Sequence, residues 1–191
     1  MLLNSVARAA LEIQKALEEQ NAQFCFIGGI AVQRWGEPRF TNDADVTLLT
    51  RFLDDEKWTD FLLSRFKPRY PNAKQFALEK RVVLLHASNG TGLDVALAAL
   101  DFEVNCVTRS SLWRSKKNIA LRTCSAEDLV VHKAFASRQR DWLDVETILM
   151  RQGRKLDVGL IFRELEPLVA LKEEPAILER LRGLMRKRKV L

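Results

Sequence analysis

Apolar residues recur at helical spacing along the first stretch of the chain. Leu2, Val6, Ala9, Ala10, Ile13 and Leu17 form one stripe, with Arg8, Glu12, Lys15, Glu18 and Glu19 outside it, which predicts a helix over residues 2–19. The period then shortens. Gln23–Ile27 is a compact apolar run of β type that ends in Gly28-Gly29, and Ile30–Trp35 reads as a short helix stopped by Gly36 and Pro38. Asp43–Leu49, with its β-branched and apolar Val46-Thr47-Leu48-Leu49, predicts a second strand. Leu53–Phe66 is amphipathic and helical, and Pro68 and Pro71 end it. A hairpin follows: Arg81–Ala87 as one strand, turn chemistry at Asn89-Gly90-Thr91-Gly92, and Leu93–Ala98 as the return. Asn118–Arg122 can form one more short strand. From Ser125 onward the pattern is helical throughout, over Ser125–Ser137, Asp141–Arg151, Asp157–Ala170 and Glu174–Lys189. This predicts an α/β core over residues 1–123 and a packed helical segment over 124–191.

Composition narrows the class. The 191 residues are 47% hydrophobic and 29% charged, which is ordinary globular usage and excludes disordered and fibrous chains. Lys and Arg number 31 against 25 Asp and Glu, a net charge of +6 that fits a polyanionic partner without requiring one. Cys25, Cys106 and Cys124 are irregularly spaced with no CxxC pair, so neither a disulfide framework nor a structural zinc site is expected, and a reducing cytoplasm is the default. The apolar run Val95–Leu100 is far too short to span a bilayer, and Asn4, Arg8 and Glu12 interrupt any signal-peptide core.

Against that pattern, three acids stand where burial is expected. Asp43 and Asp45 lie two apart on the second strand, so both carboxylates project from one face. Asp94 sits inside the return strand of the hairpin; if that strand lies beside Asp43–Leu49, all three can meet. Two unit charges about 4 Å apart repel by roughly 4 kcal/mol at an effective dielectric near 20. Either one carboxyl then protonates or divalent cations fill the gap. Oxygen-only ligands favour Mg²⁺ or Mn²⁺ over zinc, and two such ions can clamp the attacking and leaving oxygens of a phosphoryl transfer. Upstream, the strand, Gly28-Gly29 and helix in succession make a turn whose backbone N–H groups can hold phosphate.

Phe26-Ile27-Gly28-Gly29, then Asp43-Ala44-Asp45, then Asp94 resembles the signature of the polymerase-β-like nucleotidyltransferase superfamily. Arg39-Phe40-Thr41-Asn42-Asp43-Ala44-Asp45 resembles the Arg-x-Thr-x-Asp-x-Asp form of the minimal, abortive-infection and toxin-type branch, as do Ser125–Lys133 and Arg140–Val145. The likeness covers about residues 22–150. It implies a mixed-sheet nucleotidyltransferase core with flanking helices, and NTP as substrate. Gly28 and Gly29 would pack against the triphosphate, with Thr41 beside the phosphates. Asp43 and Asp45 would bind the metals that carry the nucleotide, and Asp94 would bind the catalytic metal and activate the acceptor hydroxyl. Lys133 would neutralise the triphosphate, with Asp141 or Asp144 supporting it. One departure is Ala44, where the family carries a bulky aliphatic.

Other features have plainer readings. Lys133 and Asp144 fall nearly on one face of an unbroken helix, but Ser137–Arg140 can equally divide it into two. Asp141 can be a helix cap, and Ser125 with Asp128 reads as one. His86 and His132 lack partners at metal spacing; Trp35, Trp113 and Trp142 fit a core better than a base stack. Arg180, Arg182, Arg186, Lys187, Arg188 and Lys189 form either a solvated helix end or an RNA footprint. The sequence thus predicts transfer of an NMP to a hydroxyl of RNA, protein or a small molecule. Two alternatives stand beside it: a non-catalytic partner in a toxin–antitoxin-like pair, and a basic nucleic-acid-binding module.

Overall fold

The computed structural model describes residues 5–50, 54–98, 100–115 and 119–191. Its elements are, in chain order, α1 (Ser5–Glu19), β1 (Phe24–Phe26), α2 (Gly28–Trp35), β2 (Asp43–Leu49), α3 (Asp55–Arg65), β3 (Lys67–Pro68), α4 (Ala73–Lys80), β4 (Val82–His86), β5 (Gly92–Ala98) and α5 (Asp101–Thr108). Then come β6 (Ser111–Arg114), β7 (Ala120–Thr123), α6 (Ala126–Ala136), α7 (Gln139–Gln152), a 3-10 turn (Gly153–Lys155), α8 (Val158–Lys172) and α9 (Ala176–Lys187). The predicted mixed α/β class holds. The chain forms two compact units, Met1–Ile30 with Phe40–Cys124, and Ala31–Arg39 with Ser125–Leu191.

The first unit is built on a mixed sheet in the order β3-β4-β5-β2-β1-β7-β6. β2 runs parallel to β5, and β1 to β7; the other neighbours are antiparallel. Alternation divides the central strands into two faces. Ala44, Val46 and Leu48 of β2, Val83 and Leu85 of β4, and Leu93, Val95 and Leu97 of β5 are buried in one cluster with Val6, Ala9, Ala10, Ile13 and Leu17 of α1. The stripe predicted for the first helix is therefore the lid of the core. Gln14, buried on that helix, is satisfied at the sheet: its amide donates to the Ala120 carbonyl at 3.0 Å and accepts from the Arg122 N–H at 3.1 Å. The opposite face carries Asp43 and Asp45 from β2 and Gly92, Asp94 and Ala96 from β5, most of them half-buried.

Several elements escaped the sequence pattern. α4 buries only Ala73 and Ala77, so it has almost no apolar stripe to detect. α5 spans eight residues, and its start is set by the Glu103 carboxylate accepting the Leu100 N–H at 2.9 Å. β6 is an edge strand with three of its four residues exposed, and β3 is a two-residue pairing. α2 begins at Gly28 rather than Ile30, with Gly28 entering it at a left-handed φ of +54°. The parts of predicted elements at Leu2–Asn4, Leu53 and Asn118 lie outside the described residues.

The second unit has α6, α7, α8 and α9 as its main elements. Leu129, Val130 and Ala134 of α6, Val145, Ile148 and Leu149 of α7, Ile161 and Leu165 of α8, and Leu181 and Met185 of α9 are buried. Ser125 caps α6 by accepting the Asp128 N–H at 3.0 Å, and Asp157 caps α8 by accepting the Leu160 N–H at 2.8 Å. Part of the basic C-terminus has structural partners. Arg188 pairs with Glu146, Arg182 with Glu166, and the Arg180 guanidinium lies 4.4 Å from the Trp142 ring centre. The three cysteines are buried, and Cys25 Sγ lies 3.8 Å from Cys106 Sγ. Among the described residues, no helix is long and apolar enough to cross a membrane.

Because Leu48 is fully enclosed between α1 and the sheet, Leu48→Ala should cost about 2–5 kcal/mol in urea unfolding, whereas Leu112→Ala on the exposed edge should stay within about 0.5 kcal/mol.

Candidate active site

The parallel register of β2 and β5 sets Asp45 directly opposite Asp94, and Asp43 opposite Gly92. Each of Asp43, Asp45 and Asp94 offers a carboxylate oxygen, and these oxygens lie within 4.8 Å of one another. The meeting of the three acids, conditional in the sequence, is thus realised. Such crowding needs positive charge nearby. The protein itself provides one cation that the sequence reading missed. Arg69 follows β3, where its main-chain N–H bonds to the Leu84 carbonyl at 3.0 Å, and Leu84 is the register partner of Asp94. The guanidinium reaches across β4 and forms an ion pair with Asp94. Gly92 helps: a Cβ there would lie 3.6 Å from Arg69 Nη1 and 3.5 Å from the Asp43 Cβ. In sequence, Arg69 sits between two prolines and reads as a helix-ending loop; only the brief β3 pairing reveals its reach.

Gly28 and Gly29 are fitted to these acids. Gly28 has φ +54°, and a Cβ on it would come within 2.6 Å of the Asp45 Cγ, inside that carboxylate. A Cβ on Gly29 would come within 2.7 Å of the Thr41 Cβ. Thr41 in turn donates its hydroxyl to Asp43 Oδ1 at 3.1 Å, and the Ile27 N–H donates to the Asp45 carbonyl at 3.0 Å. The doubled glycine, Thr41 and the first two acids are therefore one interlocked piece of backbone and side chain.

The second unit brings together the other predicted residues. Lys133 is buried on α6, and its Nζ lies 3.0 Å from Asp141 Oδ1 and 2.9 Å from Asp144 Oδ2. Ser137, at φ +56°, ends α6 before α7 begins, so two helices rather than one unbroken helix make this meeting. Arg39 grips Asp144 in a fork, Nε to Oδ1 at 2.6 Å and Nη2 to Oδ2 at 2.7 Å, and Arg138 Nε reaches Asp141 Oδ2 at 2.6 Å. Burial alone would raise the Asp144 pKa, but the hydrogen bonds and charges of Arg39 and Lys133 outweigh it and hold the carboxyl below its usual range. Asp141 is lowered in the same way against its burial, by Arg138 and Lys133. Arg39 was visible in the sequence only as a motif letter; its role comes from the fold.

Of the remaining candidates, His86 Nδ1 lies 3.1 Å from the Gly90 carbonyl in the hairpin, and Trp142 is buried with its indole N–H on the Ser137 hydroxyl at 3.1 Å. Trp35 is half-buried under the Arg34 guanidinium, 4.0 Å from the ring centre.

No protein-family model matches the chain, and no curated protein matches it in sequence. Solved structures do match it in shape. The antigenic nucleotidyltransferase-like protein from Paracoccidioides brasiliensis aligns with a TM-score of 0.52 at 15% identity, over 95% of this chain and 94% of that one. The antibiotic-resistance factor ANT(2'')-Ia aligns at 0.53 and 13%, over 93% and 96%. The lincosamide antibiotic adenylyltransferase LnuA aligns at 0.51 and 14%, over 74% and 94%. This chain has the nucleotidyltransferase fold. Within that fold, the three acids and the doubled glycine all belong to the first unit, and the Lys133 cluster to the second.

Two outcomes follow for stability. Asp144→Asn should cost about 3 kcal/mol near neutral pH, since it leaves buried cations short of a partner. With its pKa lowered in the native state, Asp144 stabilises fully above its ordinary value of 3.8 and loses that contribution as pH falls through the native value. Urea-unfolding curves of wild type and variant should therefore converge there. Gly28→Ala should lose about 1–2 kcal/mol from backbone strain alone, and more through displacement of Asp45. Gly90→Ala, with φ +78° and nothing within 4 Å of its Cβ position among the described residues, should lose only the backbone part.

Proposed function

We propose that this protein is a metal-dependent nucleotidyltransferase that moves a nucleoside monophosphate from an NTP to a hydroxyl acceptor and releases pyrophosphate. The observation that carries the reading is the convergence of Asp43, Asp45 and Asp94 beside Gly28-Gly29 on a sheet of this fold. The donor set fits a hard divalent cation, Mg²⁺ or Mn²⁺: it offers three carboxylates, half-buried and within reach of one another, with no sulfur or imidazole among them. Bound there, one or two such ions would neutralise the phosphate charge during transfer.

The chain's own residues do the rest. Asp43, oriented by the Thr41 hydroxyl, and Asp45, seated against Gly28, would hold the nucleotide's ion. The main-chain N–H groups at the start of α2, at Gly28 and Gly29, face the phosphates with the positive end of the helix, and Thr41 lies beside them. Asp141 and Asp144 orient Lys133 in the second unit, and the family resemblance would give this lysine the role of a point charge for the triphosphate. Asp94 takes the proton of the acceptor hydroxyl as its oxygen bonds to the α-phosphorus and the bond to pyrophosphate breaks.

The motif segments around Lys133 and Asp144 favour a toxin-type enzyme with an antitoxin-like protein as partner class, and the irregularly spaced cysteines without a CxxC pair favour a reducing cytoplasm. The neighbour LnuA is described as an antibiotic adenylyltransferase, which keeps a small-molecule hydroxyl beside RNA and protein as acceptor.

Incubation with labelled NTPs, Mg²⁺ or Mn²⁺ and a cell extract should release pyrophosphate and label one class of acceptor. Asp45→Asn should abolish both while keeping or raising the metal-free melting temperature, because it removes one of three mutually repelling charges. Undiminished turnover in Asp45→Asn would remove the proposal; an NTP-independent, salt-dependent RNA affinity alone would favour a nucleic-acid-binding module.

A further inference from the structure

Arg69 and Asp94 are joined by more than chance surface pairing. The Arg69 main chain is tied to Leu84, the residue that pairs with Asp94, so Arg69, just past β3, continues the row that Leu84, Asp94 and Asp45 make across β4, β5 and β2. The guanidinium passes above Gly92 and lies 3.5 Å from the Leu93 carbonyl through Nη2. Among the described residues, its Nε is buried with no hydrogen-bond partner. A donor fork left incomplete in this way is held by its charge on Asp94 rather than by a full set of hydrogen bonds. The Asp94 Oδ1 that faces the guanidinium is itself buried, yet the two side chains remain 25% and 30% exposed, which leaves the rest of the carboxylate open to another cation.

Building on the metal-dependent reading above, we propose that Arg69 is the resident counter-cation of the acid triad. It holds Asp94 when no ion is bound and competes with the incoming divalent cation for the same carboxylate. Arg69 is thus a positioning residue that sets how tightly the triad takes its metal. A cation beside a carboxylate site weakens the binding of a second cation there by direct repulsion, and a fixed guanidinium cannot be shed by deprotonation.

The test measures Mn²⁺ binding by electron paramagnetic resonance, and melting temperature with and without saturating Mn²⁺, in the full chain. Arg69→Met should bind Mn²⁺ about tenfold more tightly than wild type. It should melt lower than wild type without metal, and saturating Mn²⁺ should close that gap. Arg69→Lys, which keeps the charge but loses the fork, should fall between the two in affinity. Wild-type or weaker Mn²⁺ affinity in Arg69→Met would overturn the proposal, as would a melting deficit that persists in saturating metal, the mark of a purely structural arginine. If Arg69→Met folds only when Mn²⁺ is added, that supports it. Failure of the metal reading itself has a separate signature: wild type and Asp45→Asn would take up Mn²⁺ equally, which removes both claims.

Discussion

The parallel pairing of β2 with β5 is the constraint on which the site depends. Antiparallel neighbours can be joined by a tight turn, but a parallel pair needs its strands brought together by intervening chain. Here that chain is α3, β3, α4 and β4. It delivers Asp94 opposite Asp45 and, through β3, lays Arg69 in the same row. A slip of one residue would turn Asp94 into the apolar core and Leu93 or Val95 out of it. The burial of Leu93, Val95 and Leu97 against α1 therefore fixes the register, and the register places the carboxylates. Core packing and site geometry are two faces of the same strands.

The two units handle charge differently. In the helical unit, Lys133, Asp141 and Asp144 are nearly sealed from water, and each carboxylate is gripped by Lys133 and one arginine. Both acids stay ionised against their burial because their partners outweigh it. That arrangement is rigid and costly to break, since removing any member strands the others in low dielectric. The sheet acids are half-open instead, and the Arg69 guanidinium pairs with Asp94. A closed network suits holding a lysine in one orientation; an open one suits exchange with solvent ions.

Much of this was legible in the chain because its signals are periodic or local. The β-branched and apolar run Val46–Leu49 marked Asp43–Leu49 residue for residue, the Asn-Gly turn located the hairpin, and the stripe of Ile13 and Leu17 found the lid of the core. The two-residue spacing of Asp43 and Asp45 carried over directly into geometry. What escaped had no period to show. α4 and β6 bury too little for a pattern, and α5 owes its start to a single carboxylate. Arg69 and Arg39 escaped for another reason: an arginine in a loop looks the same whether it faces water or an acid more than twenty residues away. Pairing partners distant in sequence are a property of topology.

The fit between Gly28 and Asp45 has a consequence for how such a chain can drift over time. The carboxylate occupies the space that any larger residue at position 28 would need, and the left-handed backbone there excludes such residues on its own account. Positions seventeen apart in sequence therefore behave as one heritable unit. A lineage that abandoned the acid would be released from only half of the restriction on the glycine, so a vestigial descendant should keep its glycine long after its carboxylate had decayed.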